Sequence, residues 1–438
     1  MTRRAIPRPY EPSIFERRES VVRSYCRRLD LILDTAEGSV VRDVTGREYL
    51  DFVAGAGSLN YGHNDPDMRA ALIAHLERRG ISHSLDMFSS AKRAFLTAFE
   101  SLVLLPRGMD HRVQFTGPTG ANAVEAALKL ARKVTGRTNV IAFTNGFHGV
   151  SQGALAATGN RHHRGGPEIP LYGVTRMPYD GYLGDGIDTA ELLDRMLHDP
   201  SSGLDAPAAI LLETVQGEGG LNVASPAWVR RIAELASTSG ALLVVDDIQA
   251  GCGRTGTFFS FEPFGIVPDL VVLSKSISGY GLPMALLLIR PEYDVWLPGE
   301  HNGTFRGNVH AFVTARVALE KFWSTRDFAA DVARRSNLLA RRLAEAAALV
   351  PGATVKGRGM MCGIDVGSGA YAAAVVRRCF ADGLMLETAG SYDQVVKVLP
   401  PLTTPHKLLD DGLDILLAAT GAVASARETR SSSGLVTA

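Results

Sequence analysis

Two short apolar runs constrain the fold of this chain more than any other feature. Residues 241–246 and 270–274 are rich in Leu and Val, and both are short for helices. Such runs are typical of strands that are buried on both faces of a parallel sheet. The first run ends in Asp246, and Lys275 directly follows the second. Since ligands of open α/β sheets bind at the carboxyl ends of the strands, we expect the two side chains to meet in a ligand-binding crevice.

The segments around these runs predict an α/β fold. From residue 138 onward, strand-like runs alternate with helical ones, which indicates βα units and a mostly parallel sheet. The alternating segments are 139–144, 208–213, 226–239, 241–246, 270–274 and 284–289. Nearer the N-terminus, residues 13–30 predict an amphipathic helix, and residues 39–52 predict a β-hairpin around a Thr-Gly turn.

The pattern changes after Gly307, where long helices replace the alternation. Helices are predicted at 311–322 and 327–349, followed by strands near 361–366 and 395–399. A chain of 438 residues is too long for one compact core. We therefore predict a large domain at 81–310 and a smaller α+β domain at 311–438, with residues 1–80 packing beside the smaller domain.

Charge and cysteine usage argue against several classes of protein. Lys plus Arg and Asp plus Glu number 46 each, so we expect neither a nucleic acid nor an acidic membrane surface as a partner. The N-terminus has no apolar secretion signal and no run reaches 18 uncharged apolar residues, which favours a cytoplasmic protein. The four cysteines have no C-x-x-C spacing, so we expect reduced thiols and no metal site.

The strongest helical pattern in the chain, residues 121–133, follows a polar, glycine-rich turn. At Thr119 and Gly120, backbone N–H groups and the positive end of the helix dipole converge, which favours a phosphate site. The alternative is an ordinary helix start, in which the Thr119 side chain caps the first turn.

Two further strand ends carry candidate site residues. Phe147 follows the run 139–144, and an aromatic side chain there either packs in the core or stacks on a flat ligand ring. Glu213 ends the run 208–213, and Glu218 follows in a loop with three glycines. One carboxylate in such a loop would be a cap or a surface residue, but two carboxylates favour a binding loop.

Lys275 is open to two interpretations. Its ammonium could extend past the apolar strand into solvent, or desolvation could lower its pKa and make it a Schiff-base lysine. The second interpretation is favoured because Asp246, the turn at Thr119 and an aromatic ring would accompany the amine. Pyridoxal 5'-phosphate (PLP) needs this set: an amine for its aldehyde, a carboxylate for its ring nitrogen, a stacking face and an anion site.

A G-x-G-x-x-G pattern at residues 251–256 suggests a dinucleotide site and hence a dehydrogenase. Residues 257–263 lack the helical pattern that such a site requires. We therefore expect no dinucleotide at this position.

The residues named above occur in the order found in class III aminotransferases of PLP fold type I, which the chain resembles from about residue 12 to residue 425. Long stretches carry the resemblance. They are FTGPTGANAVE at 115–125, residues 150–160 and 177–186, VVDDIQAGCGRTGTFFSF at 244–261 and EHNGTFRGN at 300–308. The resemblance implies a large domain with a mostly parallel central sheet covered by helices. A smaller α+β domain would be formed by the N- and C-terminal parts.

The resemblance also implies roles for individual residues. Lys275 would bind the PLP aldehyde and transfer the proton, while Asp246 would pair with the ring nitrogen. Phe147 would stack on the ring with His148 alongside, and Gln249 would bind the ring hydroxyl. The remaining cofactor-binding positions are Thr119, Gly120 and Ala121 around the phosphate, Glu213, and Thr304, which would reach the phosphate of the neighbouring subunit. The active unit would therefore be a homo-oligomer, either a dimer or a tetramer.

On the substrate side, the resemblance implies that Glu218 gates between the amine donor and a 2-oxo acid, both of them small molecules. Three positions depart from the family pattern: Thr214 replaces a proline, Asp247 replaces a glutamate, and Lys397 replaces the arginine that pairs with the gate. Because lysine lacks the two-pronged hydrogen bonding of arginine, the way in which a substrate carboxylate is held stays open. Asn60 and Tyr61 are expected to border the substrate pocket.

The implied activity is that of an ω-aminotransferase which moves the 4-amino group of L-2,4-diaminobutyrate to 2-oxoglutarate. The alternatives share the cofactor-binding residues: transfer from ornithine, lysine, 4-aminobutyrate or β-alanine, or a class III racemase or aminomutase. A catalytically silent binding protein of the same fold is disfavoured, because every cofactor-binding position is filled.

Overall fold

The computed structural model describes residues 13–165 and 170–433, with side chains described as far as residue 426. Its strands are β1 (Leu33–Glu37), β2 (Val40–Asp43), β3 (Glu48–Asp51), β4 (Arg112–Phe115), β5 (Val140–Phe143), β6 (Val174–Met177), β7 (Ala209–Leu212), β8 (Val215–Gln216), β9 (Asn222–Val223), β10 (Leu242–Asp246), β11 (Leu270–Leu273), β12 (Leu286–Ile289), β13 (Thr354–Arg358), β14 (Met361–Asp365), β15 (Leu384–Met385), β16 (Glu387–Ala389) and β17 (Val395–Val398). Its helices are α1 (Ile14–Arg18), α2 (Ala54–Gly57), α3 (Pro66–Glu77), α4 (Ser90–Phe99), α5 (Gly120–Thr135), α6 (Gln152–Ala157), α7 (Thr189–His198), α8 (Pro226–Ser239), α9 (Val309–Phe322), α10 (Asp327–Ala347), α11 (Gly369–Ala381) and α12 (His406–Ser433). The first 12 residues of the predicted N-terminal segment and the last five of the predicted small domain lie outside the described residues.

A sheet with the strand order β4-β12-β11-β10-β7-β5-β6 forms the centre of the described structure. Strands β11, β10, β7, β5 and β6 pair in parallel, which confirms the predicted parallel sheet. Alternate residues of β10 face two cores, with Leu243 packing on the side of α8 and Val244 on the side of α5. Burial on both faces explains why these strands are apolar throughout. The predicted run at 284–289 differs, because β12 lies antiparallel to both of its neighbours.

A second layer of sheets involves both ends of the chain. Strands β13-β14-β17-β16 form an antiparallel sheet. Strands β1-β2-β3-β15 form a separate sheet with mixed strand directions. The predicted hairpin is confirmed as β2 and β3. Because β15 pairs in parallel with β3, the N-terminal hairpin and the C-terminal part of the chain share one sheet.

Two predictions about chain organisation differ from the observed packing. Residues 13–30 form only α1 and a 3-10 turn at Tyr25–Arg27, and no residue of either element is buried. Helix α9, which the pattern assigns to the smaller domain, packs on α3 and α4 in the core of the large domain. There Phe312 stacks on Phe95 with 5.7 Å between the ring centroids. The change of core therefore falls between α9 and α10, since α10 belongs to the second core.

Among the residues described, no helix is both long enough and apolar enough to cross a membrane. Helix α12 is the longest, and it packs on α10 and α11.

Candidate active site

The carboxyl edge of the central sheet gathers residues that follow its strands. Asp246 is the last residue of β10, where it lies opposite Val272 of β11. Lys275 follows β11 after one intervening residue, Glu213 follows β7, and Phe147 comes four residues after β5. Because these strands are parallel neighbours, their ends lie along the same edge of the sheet. Asp246 and Lys275 therefore lie at the same edge of the sheet, and a shared ligand crevice there stays a prediction.

The Lys275 amine is enclosed by protein groups. Its Nζ donates a hydrogen bond to the carbonyl oxygen of Ala56 at 2.8 Å. Burial lowers the pKa of Lys275; the carboxylate of Glu218 opposes this effect, and the ammonium of Lys397 adds to it. A lowered pKa leaves more of the amine neutral, which is the form that attacks a carbonyl carbon. The residue also has a φ of 50°, in the sparsely populated left-handed region that often marks functional sites.

The carbonyl group that meets Lys275 belongs to a left-handed turn at residues 54–57. Ala54 and Ala56 have φ values of 48° and 54°, a conformation that costs roughly 1–2 kcal/mol for a residue with a side chain. Asp51 holds the turn by accepting hydrogen bonds from the N–H groups of Val53 and Ala54, both at 2.9 Å. The turn thereby presents a backbone acceptor to the amine.

Asp246 is held in a fixed orientation by two donors. One carboxylate oxygen lies 2.8 Å from Nδ1 of His148, and the other accepts the N–H of Ile248 at 3.2 Å. Asp246 and His148 are both almost fully buried. Sequence reasoning placed His148 beside Phe147 but did not foresee this contact. The pair leaves a buried carboxylate with a defined direction at the end of β10.

The turn before α5 places a helix cap beside the backbone N–H groups of the first helical turn. Thr119 is the N-cap, and its Oγ accepts the N–H of Asn122 at 3.3 Å. The N–H groups of Gly120 and Ala121 lie in the first helical turn, where no intrahelical acceptor exists. A Cβ on Gly120 would lie 2.7 Å from Cδ1 of Ile248, so glycine brings this turn close to the end of β10. The cap and the phosphate site that the sequence offered as alternatives are therefore compatible.

Phe147 and Glu213, which follow the neighbouring strands β5 and β7, are linked by a hydrogen bond. The N–H of Phe147 donates to Oε2 of Glu213 at 3.2 Å. The Phe147 ring is half-buried, and it packs edge-on against His163 at 5.1 Å between ring centroids. Burial and the negative charge of Asp246 raise the pKa of Glu213 well above its usual range. Glu213 is thereby favoured in the neutral form, in which its carboxyl group can donate a hydrogen bond.

Lys397 lies at the centre of a buried polar cluster, which we call the Lys397 cluster: Lys397, Glu218, Glu387 and Gln249. The Lys397 Nζ lies 2.9 Å from Oε1 of Glu218, 3.0 Å from Oε1 of Glu387 and 3.3 Å from Oε1 of Gln249. Gln249 also donates to the Ala56 carbonyl oxygen at 2.9 Å and to Glu218 at 3.1 Å. Burial would raise the pKa of Glu218, but the ammonium groups of Lys397 and Lys275 lower it to about 2. The lysine is thus a sufficient partner for Glu218 even without the fork of an arginine.

Sequence reasoning missed Glu387 and Tyr25. Glu387 lies directly opposite Lys397 in the antiparallel pair β16 and β17, so a hairpin prediction over residues 387–398 could have found it. Tyr25 approaches the cluster from the N-terminal segment. Burial around its hydroxyl and the charges of Glu387 and Glu218 raise the pKa of Tyr25.

Asn60 and Tyr61, which are predicted to border the substrate pocket, have hydrogen-bond partners inside the protein. Both polar atoms of the Asn60 amide are bonded: Nδ2 donates to the carbonyl oxygen of Cys252 at 3.0 Å, and Oδ1 accepts from Arg254 at 2.6 Å. The Tyr61 hydroxyl accepts from Nε1 of Trp323 at 2.7 Å. Both residues are at most 4% exposed. Their polar atoms therefore join buried parts of the fold, and their place at a substrate pocket stays a prediction.

Thr304 lies apart from the residues above. It is exposed, in the loop before α9. The same loop contacts residues 81–88, where Phe305 packs edge-on against His83 at 5.3 Å and Asn302 donates to Asp86 at 3.4 Å. The contacts within one chain do not bring Thr304 to Lys275.

The residues at this edge fit pyridoxal phosphate. They supply a buried amine of lowered pKa, an oriented carboxylate, a half-buried aromatic ring and the N-terminus of a 16-residue helix. These are the groups that the aldehyde, the ring nitrogen, the ring face and the phosphate of PLP require. The site also gives no support to a dinucleotide, because residues 251–256 lead into turns and not into a helix.

Comparisons with known proteins agree with this chemistry. The family model for aminotransferase class III matches residues 23–420. The chain is 56% identical over 405 residues to diaminobutyrate–2-oxoglutarate transaminase of Vibrio cholerae, covering 92% of this chain and 98% of the relative. It is 50% identical over 413 residues to the transaminase of the same name from Halomonas elongata, covering 93% and 98%.

Solved structures show the same fold. The ornithine aminotransferase of Toxoplasma gondii matches with a TM-score of 0.80 and 27% identity, over 94% of each chain, and its structure has partial occupancy of PLP at the active site. The N-acetylornithine aminotransferase of Stenotrophomonas maltophilia matches with a TM-score of 0.72 and 30% identity, over 90% of this chain and 97% of that one. A family match across most of the chain, close relatives and a shared fold lead to one conclusion: the chain belongs to the class III aminotransferases, PLP-dependent enzymes of fold type I.

Proposed function

We propose that this enzyme moves the 4-amino group of L-2,4-diaminobutyrate to 2-oxoglutarate, reversibly giving L-aspartate 4-semialdehyde and L-glutamate. One observation carries the proposal. The chain is 56% identical to a relative named for this activity, along nearly the full length of both chains. Relatives of the same name from Nocardia farcinica and Streptomyces anulatus, both 53% identical, add support.

Cofactor binding would use the groups at the carboxyl edge of the sheet. The residues that would hold PLP are Lys275 at its aldehyde, Asp246 at its ring nitrogen, Gln249 at its ring hydroxyl, Phe147 against its ring, His148 and Glu213 near the ring, and Thr119, Gly120 and Ala121 at its phosphate. When bound, PLP supplies an electron-withdrawing ring that stabilises negative charge on the substrate carbon bearing the transferred nitrogen.

The chain's own contribution is proton transfer and orientation. Because burial lowers the pKa of Lys275, its Nζ can accept a proton from the substrate carbon and return it at moderate pH. The buried contact with His148 keeps Asp246 in one orientation throughout. A fixed carboxylate needs no reorganisation during the reaction, which is the usual advantage of a preorganised site.

Recognition of the two substrates would depend on Glu218 and Lys397. Lys397 is fully buried, whereas 31% of the Glu218 side chain is exposed. A substrate carboxylate that reaches Lys397 must therefore displace Glu218. We propose that Glu218 stays on Lys397 while the amine donor reacts, and that it gives way to the carboxylate of 2-oxoglutarate or glutamate.

A homo-oligomer, either a dimer or a tetramer, would complete the site. Phe88 is fully exposed and Phe305, next to Thr304, is 67% exposed. Large exposed apolar side chains around a polar residue are typical of an interface. We propose that a second copy covers this surface and that Thr304 then reaches the phosphate in the neighbouring active site.

A panel of amine donors tests the proposed function. Purified enzyme with PLP and 2-oxoglutarate should form glutamate fastest from L-2,4-diaminobutyrate, with ornithine, lysine, 4-aminobutyrate and β-alanine slower by about tenfold or more. Glutamate is measured with a coupled dehydrogenase. A faster rate from any other donor would reassign the substrate, and turnover of diaminobutyrate without glutamate formation would indicate a racemase or an aminomutase.

A further inference from the structure

Glu387 and Lys397 form a buried ion pair on neighbouring strands. They are directly opposite each other in β16 and β17, and the Lys397 Nζ lies at nearly equal distances from Glu387 (3.0 Å) and Glu218 (2.9 Å). One ammonium group therefore forms ion pairs with two carboxylates. Glu387 is only 5% exposed, so Glu218 is the partner that a substrate can reach.

Departure of Glu218 would be costly if Lys397 had no second partner. A buried charge without a counter-ion is strongly unfavourable, because neither water nor another charge replaces the lost contact. The carboxylate of Glu387 stays beside the ammonium whether or not Glu218 is in place. Its Oε1 already lies 3.0 Å from the Lys397 Nζ, so this contact needs no rearrangement when Glu218 moves.

The charges in the Lys397 cluster agree with this arrangement. Burial would lower the pKa of Lys397, but Glu218 and Glu387 together raise it above its ordinary value, so the group stays an ammonium. Burial raises the pKa of Glu387; the charge of Lys397 opposes this effect, and the charge of Glu218 adds to it. Removal of Glu218 therefore lowers the pKa of Glu387, which favours its ionised form at the stage when it is the remaining carboxylate.

We propose that Glu387 is a positioning residue that holds Lys397 in place as an ammonium while Glu218 gives way to a substrate carboxylate. The proposal rests on the proposed function, in which one site accepts an amine donor and then 2-oxoglutarate. Glu387 acts on the second substrate, because only that step separates Glu218 from Lys397. The step with the donor does not separate Glu218 from Lys397.

Glu387→Gln tests this role, since it removes the charge and keeps the shape of the side chain. Lys397 then loses the carboxylate that stays beside it while Glu218 and the substrate carboxylate exchange, so KM for 2-oxoglutarate should rise by about tenfold. The first half-reaction, followed in a single turnover by the absorbance change of PLP on adding diaminobutyrate, should stay within about twofold of the wild-type rate. Binding of glutarate, an unreactive dicarboxylate, should weaken by about tenfold in calorimetry on the PLP-loaded protein.

Asp393→Asn is the matched control. Asp393 lies in the turn of the same hairpin, where it pairs with Arg28 at 3.2 Å and accepts from Thr388 at 3.0 Å. Its φ is 55°, a conformation that asparagine tolerates. The control also removes one carboxylate but has no contact with Lys397, so KM for 2-oxoglutarate and the affinity for glutarate should not change.

Two outcomes would overturn the proposal. One is an equal loss of rate in both half-reactions of Glu387→Gln, which would indicate a purely structural role, and the other is an unchanged affinity for glutarate.

Glu387→Asp, which keeps the charge one methylene further away, should show a smaller increase in KM than Glu387→Gln. Failure of the proposed function would be seen separately, because the wild-type enzyme would not react with diaminobutyrate. The measurement with glutarate would still test Glu387 in that case.

Discussion

At the scale of single residues, the groups around Lys275 have opposing effects on the pKa of its amine. Burial lowers its pKa, the carboxylate of Glu218 raises it, and the ammonium of Lys397 lowers it again. A substrate can reach Glu218, whose side chain is part-exposed, but it cannot reach Lys397 directly, because the Lys397 side chain is fully buried. The reactivity of Lys275 is therefore linked to the residue proposed to gate the substrates.

The pH dependence of covalent PLP uptake tests this link. Uptake by the apoenzyme requires neutral Lys275, so it should be half-maximal below about pH 10.4, the ordinary pKa of lysine. Glu218→Gln should move the midpoint to lower pH, because the charge that raises the pKa of Lys275 is lost while the charge of Lys397 remains. The absorbance of the lysine-bound cofactor reports uptake, and Lys275→Ala supplies the baseline. A midpoint that moves to higher pH in Glu218→Gln would contradict the assignment.

At the scale of secondary structure elements, the start of α5 combines a helix cap with the proposed phosphate site. Thr119 caps the helix, and the N–H groups behind it lie at the positive end of the helix dipole. Helix α8 begins in the same way, with Ser225 accepting the N–H of Trp228 at 3.3 Å. A comparison of the two caps can therefore separate helix stabilisation from ligand binding.

Thr119→Ala and Ser225→Ala should each lower the free energy of unfolding by about 1 kcal/mol, because each removes one N-cap. Only Thr119→Ala should also weaken PLP binding, by about tenfold, since a hydrogen bond to a charged group contributes about 1.5 kcal/mol. Urea denaturation of the apoenzyme gives the stabilities, and equilibrium dialysis gives the affinities. Equal affinities in both variants would mean that Thr119 is a cap alone.

At the scale of the whole molecule, the exposed apolar surface near Thr304 contrasts with the packed interior. Phe88 has no covering contact, and residues 81–88 pack on the loop that carries Thr304. Inside one chain, this loop does not approach Lys275. An active site that includes Thr304 therefore requires a second copy of the chain.

Phe88→Asp should lower the molecular mass in solution and weaken PLP binding together, because a charge in the centre of an apolar interface opposes association. Thr304→Ala should weaken PLP binding without changing the mass. Sedimentation velocity measures the mass, and Tyr182→Asp, at an aromatic residue that is 53% exposed elsewhere on the surface, is the control. A wild-type protein that is monomeric and still binds PLP tightly would contradict the proposed interface.

The features that the sequence determined by itself are local ones. Strands β5, β7, β10 and β11 and helices α5 and α8 could be predicted within one or two residues, because burial on two faces or on one stripe leaves a direct pattern in consecutive positions. Asp246, Lys275 and Glu213 lie at or just after the ends of those strands, and the turn at Thr119 opens α5. These groups were sufficient to predict a PLP site, and the resemblance of longer stretches to class III aminotransferases indicated the family.

Only the tertiary structure decided which distant groups meet. His148 and Asp246 are 98 positions apart. Asn60 bonds Arg254 across 194 positions. Such partners depend on which strands and turns become neighbours, and a polar residue shows the same local pattern whether its partner is a substrate or the protein. Burial then makes the pairing obligatory, because a buried charge or amide without a partner is unfavourable.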